Sequence, residues 1–574
     1  MKTFCLLLLA ALAVGDLAYS ESDPQTTPVL PWWKTTIIYQ IYPRSFKDSD
    51  GDGIGDLQGI ISELQHFQYL GVETLWLSPF YKSPQKDFGY DISDQRDVDP
   101  MFGSIEDFRK LVAEAKKLGL RTIVDFVPNH TSTDHDWFQK SVRREGKYTD
   151  YYVWSDGKTL PNGTVVAPNN WLSVFYGSAW EWNDQRQQYY LHQFIKEQAD
   201  LNYRNPDVRE EILLAMRYWL DFGIDGLRMD AIGQLYEVTD LSLDEPLSGA
   251  PGVPLNEYDS LLHPYTNFLP EVKDEIIRWQ TMLDGMEKVD GRQRFMVLEY
   301  YTDSDSRAKM AEYGAHPFNF DLVDNLDIPT NASQIMALIS EEYMDKPASY
   351  WPTFVIGNHD RNRVASKYNP RNANAFNMLL LTLKGTPTTY YGEEIAMEDI
   401  DVAYNESQDP WGINAGPDRY RLVSRDFNRS PMQWTSVSEA GFTTGKPWLP
   451  VNPDYLTVNV ASEKLNPKSP LNLYKEYAAL RQLNAFKYGD IDVNVITNDN
   501  VLSFLREFGS ERYLVCINLG QSPSTDDYSQ GAVNSPTGVV IATTGNVPSA
   551  QDKFSTVSLD SLTLQPGQGL VLKL

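Results

Sequence analysis

The sequence predicts an α/β protein built on an eight-stranded parallel (β/α)8 barrel. A long insertion follows the third strand, and a smaller antiparallel β-sandwich domain closes the chain. Three observations carry this reading. Short apolar strands alternate with amphipathic helices at the spacing of parallel βαβ units. Acidic residues recur at the C-terminal ends of those strands, where barrels of this kind hold their chemistry. No G-x-G-x-x-G turn opens the first unit, which argues against a doubly wound sheet.

Taken in order, Trp32-Trp33 open the folded part and Ile37–Tyr42 is the first strand. A helix over Leu57–Leu70 leads to the strand Thr74–Leu77. Ser104 caps the next helix, with apolar positions at Phe108, Leu111, Val112 and Ala115, and Arg121–Val127 is the third strand. Residues 128–197, rich in Trp, Tyr, Asn, Gly and Pro, show no clean helical period and read as an inserted domain. Alternation resumes with a helix over Asp207–Phe222 and a strand ending at Asp230. A helix over Glu271–Val289 precedes the strand Arg294–Leu298, which runs into Glu299. The sixth strand is expected near Phe318–Leu322, the seventh runs into His359-Asp360, and the eighth spans Thr386–Gly392. From about Phe486 the pattern becomes short alternating strands, Val501–Glu507, Arg512–Asn518, Val539–Ala542 and Gly569–Leu574. The expected division is a signal peptide at 1–20, a barrel at 31–127 and 198–484, the insertion at 128–197, and the all-β domain at 485–574.

A chain of 574 residues, 42% hydrophobic and 22% charged, is long enough for several domains and has the balance of a soluble globular protein. The net charge of −28 makes nucleic acid or an anionic lipid surface an unlikely partner. Lys2, the apolar run Phe4–Val14 and Ala18-Tyr19-Ser20 form a secretory signal peptide, so the mature chain is expected outside the cell with no membrane span. Cys5 leaves with that signal, and Cys516 alone can form neither an intrachain disulfide nor a cysteine-based zinc site. Sequons at Asn162, Asn331, Asn405 and Asn428 suit secretion. Oligomeric state is open.

The chemistry centres on Gly223-Ile224-Asp225-Gly226-Leu227-Arg228-Met229-Asp230-Ala231. Residues two apart on a strand share a face, so Arg228 sits beside Asp230 and is expected to hold it ionised, as an attacking carboxylate requires. Glu299 follows Met296-Val297-Leu298 in expected apolar surroundings, which suit an acid that stays protonated. Glycoside cleavage needs two such unequal carboxyls. Asp360 would grip sugar hydroxyls, with His359 and His130 as further hydroxyl ligands. In Asp48-Ser49-Asp50-Gly51-Asp52-Gly53-Ile54-Gly55-Asp56, alternating acids and the Ile54 carbonyl converge oxygens suited to a hard cation. Position twelve of that loop is Gly59, so it is not an EF-hand.

These motifs resemble those of the α-amylase superfamily, in its oligo-1,6-glucosidase and insect maltase branch. Asp125-Phe126-Val127-Pro128-Asn129-His130, Gly226–Asp230, Glu299 and Val355–Asp360 match four family motifs in order. Gln198-Ala199-Asp200-Leu201-Asn202 resembles a fifth, and Ser424-Arg425-Asp426 through Arg429 to Trp434 resembles a loop at the active-site mouth. The resemblance implies a retaining α-glucosidase acting on maltose, sucrose and short α-glucosides. Asp230 would be the nucleophile, Glu299 the acid/base and Asp360 the third acid. Tyr90, Asp91, His130, Arg228, His359 and Arg429 would bind substrate. A structural Ca2+ on Asp48, Asp50, Asp52, Ile54 and Asp56 is implied in the same way. Ala231 matches neither family residue associated with linkage preference. Two alternatives are a transglucosidase or sucrose isomerase, and a non-catalytic protein like the amino-acid-transporter heavy chains that share the barrel.

Overall fold

The computed structural model describes residues 27–347 and 349–574. The expected signal peptide lies outside the described residues. Eight parallel strands form the barrel: β1 Ile38–Ile41, β2 Thr74–Leu77, β3 Arg121–Phe126, β4 Gly226–Met229, β5 Phe295–Leu298, β6 His316–Pro317, β7 Thr353–Val355 and β8 Thr386–Tyr390. Their order around the sheet is β6-β5-β4-β3-β2-β1-β8-β7. The ring closes through a parallel bridge between Asn319 and Phe354, where Asn319 N–H donates to the Thr353 carbonyl at 2.8 Å. Nearly every barrel residue is buried on both faces, as expected of parallel strands covered by helices.

Register fixes where the functional strand ends fall. Arg228 pairs with Asp125 and Val297, and Met229 with Phe126 and Leu298. The ladder runs one residue further, since Asp230 N–H donates to Phe126 O at 2.9 Å and Glu299 N–H to Met229 O at 2.8 Å. Both carboxyls therefore sit immediately past the last strand pair, at one depth of the barrel mouth.

Several elements differ from expectation, among them the seventh strand, which ends at Val355, short of His359-Asp360. The helix expected over Leu57–Leu70 is two, Leu57–Ser62 and Leu64–Leu70, broken at Glu63 (φ −107°, ψ 11°). The sixth strand is only His316–Pro317, because Asn319 Oδ1 accepts the Asp321 N–H and starts a short helix at Asp321–Asp324. The insertion contains a helix at Asp136–Val142, whose seven residues are too few to show a period. It also forms a three-stranded antiparallel sheet from 154–155, 180–183 and 188–191. A two-stranded base, His130–Ser132 against Gln198–Asp200, carries the insertion out of the barrel and back.

The C-terminal part is a six-stranded antiparallel sheet from strands at 490–492, 501–508, 511–518, 537–543, 556–558 and 569–573. A two-stranded layer, 524–526 with 562–564, shares its core, where Leu505, Leu514, Cys516 and Leu570 pack with Leu562 and Leu564. Arg506, fully buried, donates to the Thr382 carbonyl at 2.6 Å and to the Phe486 carbonyl at 2.9 Å, tying this sheet to the barrel's helices.

Candidate active site

One guanidinium organises the barrel mouth. Arg228 Nη1 donates to Asp125 Oδ1 at 2.7 Å and to Asp230 Oδ1 at 2.6 Å, while Nη2 lies 3.0 Å from Glu299 Oε2. Arg228 is 2% exposed and its cation lies 5.3 Å from the Trp76 ring. Three carboxyls thus share one positive charge in a dry site. Burial, opposed by Arg228, pushes the Asp125 carboxyl up to about 6. Burial and the Glu299 carboxyl, within hydrogen-bonding reach, push Asp230 well above the usual carboxylate range despite Arg228. This departs from the expectation that Arg228 alone would hold Asp230 ionised, because the arginine is divided among three acids. The surroundings of Glu299 also differ from expectation. Its strand is apolar, but its carboxyl meets Arg228 and accepts the Ala231 N–H at 3.0 Å. Ala231 points that N–H at Glu299 from a left-handed backbone, φ 50°.

Opposite lies a second polar chain. Tyr90 OH donates to Asp125 Oδ2 at 3.0 Å and sits 2.6 Å from His359 Nε2. Gln40 Nε2 donates to His359 Nδ1 at 2.8 Å, which leaves the imidazole proton on Nε2. Burial keeps His359 neutral far below its ordinary range. The two rings stack, 5.3 Å apart at 8°. Asp360 Oδ1 accepts from Arg429 at 2.9 Å and Oδ2 lies 3.3 Å from His359 Nε2. The charges of Arg429 and Arg425 hold Asp360 far below the carboxylate range against the cost of burial, with neutral His359 beside it. His130, in the insertion's base strand, is lowered to about 3 by burial and contacts Gln198 Nε2 at 3.1 Å.

Asp230, Glu299, Asp360, Tyr90, His130 and His359 all line one cavity of about 400 Å3. Three other expected site residues do not. Arg228 stands beneath the carboxyls as their shared counter-ion. Arg429 is wholly buried behind Asp360, donating to the His359 carbonyl at 2.7 Å. Asp91 faces inward, accepting from Lys86 N at 2.8 Å, Asp87 N at 2.9 Å and Ser83 Oγ at 2.9 Å. It holds its own loop together and makes no wall of the cavity. The wall is made by Asp87 and Arg425, which the sequence reading passed over. Arg425 Nη2 bridges Asp87 Oδ1 and Asp409 Oδ1, both at 2.6 Å, and Gln198 Nε2 reaches Asp87 Oδ2 at 3.1 Å. Arg425 lies in the Ser424–Trp434 stretch already singled out and Asp87 shortly before Tyr90, so adjacency in sequence was the available signal.

In the loop after β1, carboxylate oxygens of Asp48, Asp50 and Asp56 lie within 4.8 Å of one another. Asp52, expected among them, lies outside that cluster. Of the sequons, Asn162 and Asn405 are exposed, while Asn331 is half-buried and caps a helix by accepting the Gln334 N–H. Asn428 is 1% exposed and its amide donates to the Asn358 carbonyl at 3.2 Å, so in the folded chain it has no room for a glycan.

The α-amylase catalytic domain matches residues 40–489. Maltase 1 of Drosophila virilis is 43% identical over all of this chain and 92% of its own length. The salivary α-glucosidase of Aedes aegypti is 40% identical over 95% of this chain and 96% of its own. The crystal structure of an α-glucosyl transfer enzyme, XgtA, superposes with a TM-score of 0.82 at 36% identity, covering 95% of this chain and all of that one. A barrel with these strand-end acids, matched along its length at such identity, places the chain in the α-amylase catalytic-domain family.

Proposed function

We propose that the protein is a secreted, retaining α-glucosidase that releases glucose from the non-reducing ends of maltose, sucrose and short α-glucosides. The observation that carries this is Asp230 and Glu299 held on one guanidinium in the wall of one cavity at the barrel mouth. Carboxyls this close suit double displacement, which uses a separation of about 5–5.5 Å, rather than the wider inverting arrangement that seats a water between them.

In the resting site burial and the neighbouring Glu299 carboxyl favour the protonated form of Asp230. A glucosyl unit entering between them separates the pair, leaving the proton on Glu299 and Asp230 ionised beside Arg228. An Asp230 oxygen then attacks the anomeric carbon while the bond to the leaving oxygen breaks and Glu299 supplies that oxygen's proton. In the second step Glu299 takes a proton from water, whose oxygen displaces Asp230. Asp360, kept ionised by its arginines, and neutral His359 and His130 would bind ring hydroxyls. The Asp87–Arg425 pair closes the pocket and would grip the non-reducing end. Such an end wall favours removal of one sugar at a time.

Asp48, Asp50 and Asp56 supply three hard oxygen donors, and with the Ile54 carbonyl they would hold a structural Ca2+. Secretion is supported by the signal-like N-terminus and by the salivary enzyme among the relatives. Among the described residues no helix is long and apolar enough to cross a membrane. The likeness to an α-glucosyl transfer enzyme favours transfer to a second sugar as an alternative fate of the intermediate.

The deciding experiment offers maltose, isomaltose, sucrose and starch and follows free glucose against new disaccharide. Free glucose is expected to dominate; mostly new disaccharide would favour the transferase. Asp230→Asn is expected to lower kcat by about 10⁴-fold or more with the fold intact, the scale of losing a covalent nucleophile. Appreciable turnover by that variant removes Asp230 from its role.

A further inference from the structure

In the ring order, β4 and β8 stand four places apart, on opposite sides of the barrel. The loops that follow them can therefore meet only by crossing the open end above Asp230. They do meet. Arg419, from the long segment after β8, donates through Nη2 to Glu257 Oε2 at 2.8 Å, and its Nε lies 2.6 Å from Oε1. Glu257 belongs to the segment after β4. Tyr176, from the insertion after β3, lies against the same guanidinium.

Three further contacts join the same loops. Gly177 N–H donates to the Asn256 carbonyl at 3.2 Å, Asn414 Nδ2 donates to the Phe175 carbonyl at 3.0 Å, and Phe175 stacks on Trp411 at 5.2 Å and 19°. Glu257 and Tyr176 line the cavity that holds Asp230. The arm presenting Glu257 is anchored at its base, where the buried Glu245 carboxylate accepts from Thr266 Oγ1 and pairs with His263 Nδ1, each at 2.8 Å.

We propose that the Glu257–Arg419 pair is a strap across the pocket mouth that sets how long an α-glucan the enzyme accepts; this rests on the glucosidase reading. A substrate seated with its non-reducing glucose against Asp87–Arg425 must carry its remaining sugars outward past the strap. A disaccharide ends near it, whereas a longer chain has to pass it or displace it. The pair makes one hydrogen bond, Nη2 to Oε2, and lies at the solvent edge with the arginine 36% exposed, so it holds position without the grip of a buried pair.

The test compares kcat/KM for maltoheptaose and maltose in the full-length protein. Glu257→Ala and Arg419→Ala are each expected to raise the heptasaccharide-to-maltose ratio about five- to fiftyfold, the scale of removing one excluding contact, through a lower KM for the heptasaccharide. The charge swap E257R/R419E is expected to return the ratio toward wild type. Ratios within about twofold of wild type in both alanine variants, at wild-type melting temperature, overturn the strap. So does a folded charge swap that keeps the raised ratio. Should the wild type release no glucose from maltose, the glucosidase reading falls and takes the strap with it; activity with an unmoved ratio sinks the strap alone.

Discussion

At the scale of single residues, the site divides into side chains that touch substrate and side chains that hold others in place. Asp87 and Asp91, four apart in one loop, fall on opposite sides of that division. Asp87 faces the cavity with Arg425, so Asp87→Asn is expected to cut kcat/KM on maltose by roughly 10²–10⁴-fold, the cost of a lost hydroxyl contact, at near wild-type melting temperature. Asp91→Ala strands three donors, each worth roughly 1–3 kcal/mol when buried unpaired, and should lower the melting temperature more than it alters KM. Steady-state kinetics with thermal unfolding on both variants separates them, and the reverse pattern would exchange their roles. The same contrast shows what the sequence could disclose about the site. Asp125, Arg228, Asp230 and Glu299 were legible because each stands in or just beyond a strand, where period two and the barrel's polarity fix its direction, whereas Asp360, in the turn beyond Val355, was legible from its motif alone. Asp87 and Arg425 sit in aperiodic loops whose path depends on contacts hundreds of residues away. Nothing local distinguishes an outward aspartate there from an inward one. The raised Asp230 carboxyl was hidden for a related reason: Arg228 looked like a private partner until three strands brought three acids to it.

At the scale of elements, strand positions read from apolar runs of at least four residues agree with the structure to within about two residues, while the seventh strand stops at Val355, short of His359-Asp360. Apart from the break at Glu63, the clearest misses are short: β6 has two residues and the helix at Asp136–Val142 has seven. Elements of that size are fixed by packing and capping rather than by periodicity. The loop after β1 was legible in another way, since alternating aspartates announce convergence. What the sequence could not give is that the loop's own backbone claims part of the same carboxylates. Asp48 accepts N–H bonds from Asp50, Gly51 and Gly53 at 2.7–3.0 Å. The loop also docks on 442–448, with Asp48 N–H to the Phe442 carbonyl at 3.1 Å and Trp448 N–H to the Gly53 carbonyl at 3.0 Å. Stripping Ca2+ should therefore loosen this docked corner and lower the melting temperature while leaving kcat nearly unchanged. Saturation at about a hundred times Kd corresponds to about 2.7 kcal/mol of stabilisation. An unmoved melting curve after chelation of a verified metal-loaded sample would dismiss the ion. Gly53→Ala offers a metal-independent control. A Cβ there would come 1.9 Å from the Lys446 carbonyl oxygen, and the residue sits at φ 95°, so the docking itself is lost.

At the scale of the molecule, two buried populations set the response to pH, and they pull in opposite directions. Five of the seven histidines, His130, His135, His192, His316 and His359, are kept neutral by burial, with values lowered to about 3 or 4 where the shift is moderate. The unfolded chain binds more protons than the native one at these positions below about pH 6.5, so their stability is full above that pH and is lost on acidification. Buried carboxyls do the reverse: burial raises Asp91 and Asp125 to about 6, Asp200 to about 7 and Glu237, Glu393 and Glu463 to about 8, and it pushes Asp230 up as well. Native protons at these sites are missing from the unfolded state above about pH 4, so their stability is full below that pH and drains away as pH rises toward 8. Between about pH 4.5 and 6.5 the two sets oppose one another, each group contributing a slope of about 1.4 kcal/mol per pH unit when fully engaged. Above that window only the carboxyls titrate, and a net charge of −28 adds repulsion in the same direction. The melting temperature should therefore form a plateau on the acid side of neutrality and fall on either side of it. Glu237→Gln and Glu393→Gln should flatten the alkaline limb alone, because an amide keeps the buried shape and has no proton to lose. Scanning calorimetry from pH 4 to 9 decides the matter: a melting temperature that climbs through pH 8 would mean these carboxyls are ionised in the native protein, and the opposition between the two populations would not exist.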